Sequence, residues 1–273
     1  MHKQNIGIDI GGTKALFVSG NKRLKLETGS DFTPEKLEGI LKNFLHANKI
    51  EPVSIGVAVP GLVDSAGKVL FCDVLPKFTG WNPNLAFADF RCQIKALNDV
   101  NAAILEEFSE LEEGLTAGIV MVGTAIGAAF ITEGKLLTGA TGLVGELGYM
   151  PMQTNRGIER LDELAGGSFL AAKYGVSGKS FADLIEAGEQ TAIARLWEGG
   201  RYLGVAVASV INLINPSRLV FGGGTVGLPG YFEAVVETAA QYTIPDLWAA
   251  CKLSKVRSGE LVVALGAMSA AQI

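Results

Sequence analysis

Asp9, Asp99 and Glu146 stand where carboxylates are uncommon. Asp9 interrupts the apolar run NIGIDI and is followed at once by Gly11, Gly12, Thr13 and Lys14. A single acid between Ile8 and Ile10 asks for a paired charge or a site, because an uncompensated buried carboxylate is costly. Asn98 and Asp99 follow the apolar residues of a strand at 94 to 97 and open a helical pattern. Open α/β sheets bind ligands at that strand end, and the same residue types cap ordinary helices. Glu146 is the single acid of TGATGLVGELGYM, residues 138 to 150. Glycines there would admit an extended ligand close to the backbone and leave Glu146 to accept a hydrogen bond; a flexible surface loop would look the same. With His2 at the start of the chain and His46 on an amphipathic helix as the only two histidines, a general base would be a carboxylate.

Two glycine turns add a second kind of chemistry. Gly11-Gly12-Thr13 and Gly123-Thr124 each follow an apolar strand. Either alone reads as a hairpin turn; together, and with Asp9 beside the first, they point to backbone N–H groups and threonine hydroxyls that cradle phosphate. Neither is a G-x-x-x-x-G-K-[ST] loop. Gly222, Gly224 and Gly227 have the spacing of a dinucleotide fingerprint, but Leu228-Pro229-Gly230 interrupts the helix that should follow, and the motif lies far down the chain.

The elements that must position these residues come in two rounds. Strands at 5 to 10 and 15 to 19 flank the first turn, an amphipathic helix spans 34 to 48, and the buried strand VSIGVAVPG ends at Pro60-Gly61. Residues 118 to 135 again read strand, Gly/Thr turn, strand; a helical region at 191 to 214 is followed by the strand RLVF and by Gly222, Gly223 and Gly224. The repetition implies a duplicated α/β unit with a cleft between its halves.

At 273 residues, with 48% hydrophobic side chains, the chain can bury a full core. A net charge of −5 disfavours nucleic acid or an anionic membrane as partner. Cys72, Cys92 and Cys251 are odd in number and form no C-x-x-C, so neither a disulfide framework nor a zinc ribbon is expected. The strand carrying Asp9 begins too early to leave room for a signal peptide, and the run 203 to 214 is too short to span a bilayer. A cytoplasmic protein is expected.

DIGGTK (9 to 14), GVAVPGLVD (56 to 64), LNDVNAA (97 to 103), GTAIGAAFITEGKLLTGATGLVGELG (123 to 148) and RLVFGGG (218 to 224) occur in the order seen in the ROK family of bacterial sugar kinases, which the chain resembles over most of its length. The resemblance implies an α/β fold of two ribonuclease-H-like domains of the actin and hexokinase type around a central cleft. The expected domains are 1–115, joined by a C-terminal helix at 260–273, and 116–259. Asp99 resembles the catalytic base, Asn98 its neighbouring sugar ligand and Glu146 an acid that receives sugar hydroxyls. Gly61 and Asp73 lie where further sugar contacts fall. Gly11, Gly12, Thr13, Lys14, Thr124 and Gly222, Gly223 and Gly224 match the parts that meet ATP, and Asp9 the acid that holds Mg²⁺ directly or through water.

The family usually continues from GExGH into a cysteine-rich zinc motif whose His touches the sugar. Here Tyr149 replaces the His and no cysteine follows, so no zinc is expected; Asp162, with Glu163 as the alternative, falls where the motif's final Glu would be. The resemblance implies an ATP- and Mg²⁺-dependent hexose kinase acting on the 6-hydroxyl, with glucose ahead of N-acetylmannosamine and N-acetylglucosamine, in a homodimer. The alternatives are a sugar-binding regulator without kinase activity, a sugar-responsive repressor and a polyphosphate-using kinase. The last two are disfavoured by the early phosphate turn and by the acidic composition.

Overall fold

The computed structural model describes residues 2–109 and 113–272; Met1 and Ile273, which bound the expected domain ranges, lie outside the described residues. The chain divides into two compact units, one of Met1–Glu110, Thr138–Leu143 and Leu261–Ile273, the other of Leu111–Leu137 and Val144–Glu260.

In the first unit β1 (His2–Ile10), β2 (Lys14–Ser19) and β3 (Lys22–Glu27) form an antiparallel meander, and β4 (Ile50–Val59) and β5 (Gln93–Asn98) extend it in parallel, in the order β3-β2-β1-β4-β5. Ile6, Ile8 and Ile10 alternate onto one face and are fully buried. They share a core with Leu37, Leu41, Phe44 and Leu45 of the helix Pro34–Ala47. That helix starts where the sequence signals it: Pro34 takes the first position, and the Thr33 hydroxyl accepts from Lys36 N at 3.3 Å.

The other face of this sheet is built for close approach. A Cβ on Gly7 would lie 2.0 Å from the Ala264 carbonyl oxygen, and one on Gly56 only 1.7 Å from that of Ala267. The helix Val262–Ala270 therefore rests almost directly on the sheet backbone, and its own Gly266 meets the Ala102 carbonyl of the helix Asp99–Glu107 in the same way. Asp9 lies on the same side of β1 as Gly7.

In the second unit β6 (Ala117–Val122), β7 (Ile126–Thr132) and the short β8 (Lys135–Leu136) form a meander, and β9 (Arg218–Gly222) and β10 (Lys252–Lys255) follow in parallel, in the order β8-β7-β6-β9-β10. The long helix Gln190–Ile214 buries one stripe in this core and ends at Asn215, in the left-handed conformation at φ 50°, just before Pro216. Gly200 and Gly204 bring the helix Tyr231–Tyr242 close, since a Cβ at either would meet that helix's backbone within 2.8 Å.

Each sheet thus has the same strand order and directions, so the duplication read from the motifs extends to whole sheets. The sequence reading missed β3, β8 and β10. KRLKLE and KLSK carry lysines that keep them at the sheet edge, where charge blunts further pairing and weakens the apolar signal. The buried strand also starts earlier than expected, at Ile50, and stops at Val59, leaving Pro60-Gly61 as the turn.

Candidate active site

In the first unit β1 pairs on both sides, which sets Asp9 between Leu16 of β2 and Ala58 of β4. Burial raises the Asp9 carboxyl from its ordinary 3.8 to about 7; the negative charge of Asp99 adds to this and Lys14 opposes it. The structure therefore brings Asp9, Asp99 and Lys14 into one electrostatic group.

The turn that follows is tightly closed. Gly11 N donates to the Lys14 carbonyl at 2.8 Å, and the Thr28 hydroxyl donates to the Gly11 carbonyl at 2.6 Å. Thr28 N also donates to the Thr13 carbonyl at 3.1 Å, so the residue just past β3 fixes the turn from both ends. Thr13 and Lys14 remain exposed. Thr28 went unnoticed in the sequence because its role depends on β3.

Asn98 ends β5 and caps the next helix: its side-chain oxygen accepts from Val100 N at 2.9 Å and Asn101 N at 3.1 Å. Its amide nitrogen donates to the Gly61 carbonyl at 3.1 Å. The ordinary capping role is present, and it leaves Asp99 at the first helical position, half-buried, with its carboxylate accepting from Val100 N at 2.9 Å. The Cys72 thiol donates to the Pro60 carbonyl, so two side chains clamp the Pro60-Gly61 turn. A Cβ on Gly61 would lie 2.2 Å from the Phe71 carbonyl oxygen, which excludes any larger residue. Asp73 follows in an exposed turn.

In the second unit the short helical turn Leu147–Tyr149 begins at Glu146, whose carbonyl accepts from Tyr149 N at 3.1 Å. Gly148 lies so close to the Asp162 carboxylate that a Cβ there would meet Oδ1 at 2.3 Å. Asp162 is buried and accepts from Ile126 N at 2.6 Å. Desolvation raises the carboxyls of both Glu146 and Asp162, and the charge of Asp162 pushes Glu146 further. Glu163 is used elsewhere, accepting from Arg160 N at 2.9 Å. Of the two alternatives, Asp162 is the one beside Glu146.

The second glycine turn has a partner that the sequence reading passed over. Gly167 N donates to the Gly123 carbonyl at 2.9 Å and Ser168 N to the Thr124 carbonyl at 3.3 Å. The buried Thr225 hydroxyl also donates to the Gly123 carbonyl at 3.3 Å. Gly223, at φ 95°, sits where a Cβ would strike the Val122 carbonyl oxygen at 2.3 Å. Thr124, Gly222, Gly223 and Gly224 are therefore brought together with the Gly166-Gly167 pair, whose position just after LDELA was the available signal.

The ROK family profile matches residues 5–272. The chain belongs to the ROK family. An N-acetylmannosamine kinase of Salmonella typhi is 28% identical to it, the match covering 84% of this chain and 86% of the relative. The ROK hexokinase of Thermus thermophilus aligns with a TM-score of 0.76 at 26% identity over 97% of both chains. A ROK family glucokinase from Streptomyces griseus, solved with glucose and AMPPNP, aligns with a TM-score of 0.81 at 20% identity over 98% of this chain and 99% of its own, a likeness of fold. Two mixed five-stranded sheets of identical order are thus the ROK and hexokinase architecture.

Within this ROK family chain, the segment after Gly148 is a hairpin of Pro151–Thr154 and Gly157–Arg160. Arg156 meets Glu159 through both carboxylate oxygens at 2.8 and 2.9 Å, and the Thr154 hydroxyl donates to Glu159 at 2.8 Å. These contacts, with Lys173 at 3.4 Å, hold the Glu159 carboxyl down at about 2.

Proposed function

We propose that the protein is an ATP- and Mg²⁺-dependent hexose kinase that phosphorylates the 6-hydroxyl group, with glucose the first candidate and N-acetylmannosamine or N-acetylglucosamine next. The observation that carries this reading is the coupling of Asp9 and Asp99 beside the glycine turn. Asp9, desolvated by burial, and the nearby charge of the half-buried Asp99, opposed by Lys14, provide hard oxygen donors and excess negative charge, the chemistry a divalent cation satisfies. Asp9 would hold the ion directly or through water. Bound Mg²⁺ supplies neutralisation of phosphate charge.

The chain's own residues would do the rest. Asp99 takes the hydroxyl proton while the sugar oxygen bonds to the γ-phosphorus and the bond to the β-phosphate oxygen breaks, releasing ADP. The Gly11–Lys14 turn would hold ATP phosphate in the first unit. Thr124 and Gly222 to Gly224 would meet the nucleotide. Gly61, Asn98, Asp73, Glu146, Tyr149 and Asp162 would contact the sugar. Orientation of a bound hydroxyl by such contacts supplies much of the rate in phosphoryl transfer.

A coupled ADP-release assay across glucose, mannose, N-acetylmannosamine and N-acetylglucosamine, with and without Mg²⁺, tests the reading. Turnover on at least one hexose, lost on removal of Mg²⁺ and restored by adding it back, is expected. Zinc-selective chelators should leave that turnover unchanged. Silence on every hexose in the presence of ATP and Mg²⁺ would refute the assignment.

A further inference from the structure

Tyr149 is 56% exposed although the residue before it, Gly148, packs on the buried Asp162. Its backbone is not free to wander. The Tyr149 N–H closes a tight turn onto the Glu146 carbonyl at 3.1 Å, and residues three apart in such a turn lie on the same side. The Asp162 carboxylate packs behind the intervening Gly148. One face of the Tyr149 ring is covered by Arg160, whose guanidinium carbon sits 5.0 Å from the ring centroid. Arg160 is itself held: its backbone N–H and its guanidinium both donate to Glu163, at 2.9 and 3.3 Å.

From this arrangement, and resting on the hexose-kinase reading above, we propose that Tyr149 is an aromatic platform for the C–H face of a pyranose and that Arg160 is the residue that positions it. A guanidinium over one ring face fixes the ring plane and leaves the other face exposed. The open face carries partial negative charge and attracts the weakly positive C–H bonds that a sugar ring presents between its hydroxyls. Glu146 and Asp162 lie within reach of the same turn to accept hydroxyl hydrogen bonds. Face stacking and carboxylate pairing are complementary, one reading the apolar side of the ring and the other its polar edge. The ring matters here, whatever the phenol hydroxyl does. Arg160 acts through Tyr149 and touches no reacting atom.

The test is a comparison of KM for the preferred hexose in variants that remove the ring, the cation or both. Tyr149→Leu should raise the sugar KM about 3- to 10-fold above that of Tyr149→Phe, since only the second keeps the ring. Arg160→Met should raise the sugar KM in the Tyr149→Phe background and leave it unmoved in the Tyr149→Leu background. The KM for ATP should not follow either change, which separates ring positioning from general loosening of the fold. Equal sugar KM values for the Phe and Leu variants would overturn the platform, and this comparison stands even if the Arg160 variant does not fold. An equal effect of Arg160→Met in both backgrounds would overturn the positioning role. Wild-type protein inactive on every hexose would instead overturn the kinase reading on which the proposal stands.

Discussion

Asp9→Asn should make the protein more resistant to unfolding at neutral pH, by an amount that grows with pH. The Asp9 carboxyl rises from 3.8 to about 7 on folding, mainly through burial, with Asp99 adding to the shift and Lys14 opposing it. A group whose folded pKa is raised binds more protons folded than unfolded between those two values, so its stability contribution falls as pH rises through that window and is level above it. At 1.36 kcal/mol per pH unit the full gap is worth roughly 4 kcal/mol, an upper figure. Between about pH 4.5 and pH 7.5 the change works out to about 3 kcal/mol. The amide differs from a protonated acid in its hydrogen bonding, so the absolute difference between wild type and variant is less informative than its slope with pH. Urea unfolding of both proteins across that range, without nucleotide, measures the slope, and a carboxyl NMR titration assigns it to Asp9. Asp99→Asn should lower the Asp9 pKa but leave it above the ordinary value, because burial is the larger cause. Parallel stability curves for wild type and Asp9→Asn, with Asp9 titrating near 4, would refute the reasoning. Loss of turnover in Asp9→Asn alongside its gain in stability would fit an acid that is costly until a cation arrives.

Three further outcomes are expected. Asp99→Asn should lower kcat by about 10²- to 10⁴-fold while the sugar KM changes far less, measured by ADP release with the preferred hexose. Gly56→Ala should cost at least about 2 kcal/mol, since its Cβ would lie 1.7 Å from the Ala267 carbonyl oxygen; Gly178→Ala, with no atom within 4 Å of its Cβ, should be neutral in the same thermal melts. Glu159→Gln should speed hydrogen exchange of the 151–160 hairpin, and the wild-type hairpin should loosen in acid progressively as pH falls from 4.5 to about 2, because the Glu159 carboxyl is held down by Arg156, Thr154 and Lys173.

The parts of the fold that were legible in the sequence are those with strong local patterns. β1, β2, β4, β6, β7 and β9 are apolar runs closed by glycine or proline, and the helices at 34–47 and 190–214 carry clear stripes with a threonine or glutamate at the start. β3 and β10 were not legible because short, lysine-bearing segments suit an edge strand and an exposed loop equally. Gly7, Gly56 and Gly266 were visible as glycines, but nothing local says that each takes the backbone of a helix more than forty residues away in sequence.

The candidate site divides along the same line. Asp9, Asp99 and Glu146 stood out because an acid in an apolar or glycine-rich setting is a local anomaly. The residues that hold the turns beside them, Thr28 on the first turn, Cys72 on Pro60-Gly61, and Gly166-Gly167 on the second turn, are ordinary in their own neighbourhoods. Their roles appear only when strands distant in sequence are paired. Tyr149 shows the limit most clearly. Its type was noticed as a departure from the family's histidine, but the meaning of the exchange depends on Arg160, eleven residues later. The return strand Gly157–Arg160 delivers that arginine to the aromatic ring. A phenol in place of an imidazole changes the hydrogen bonds available to a sugar hydroxyl. A ring backed by a guanidinium changes the surface on which the sugar rests, and only the second change needs both residues.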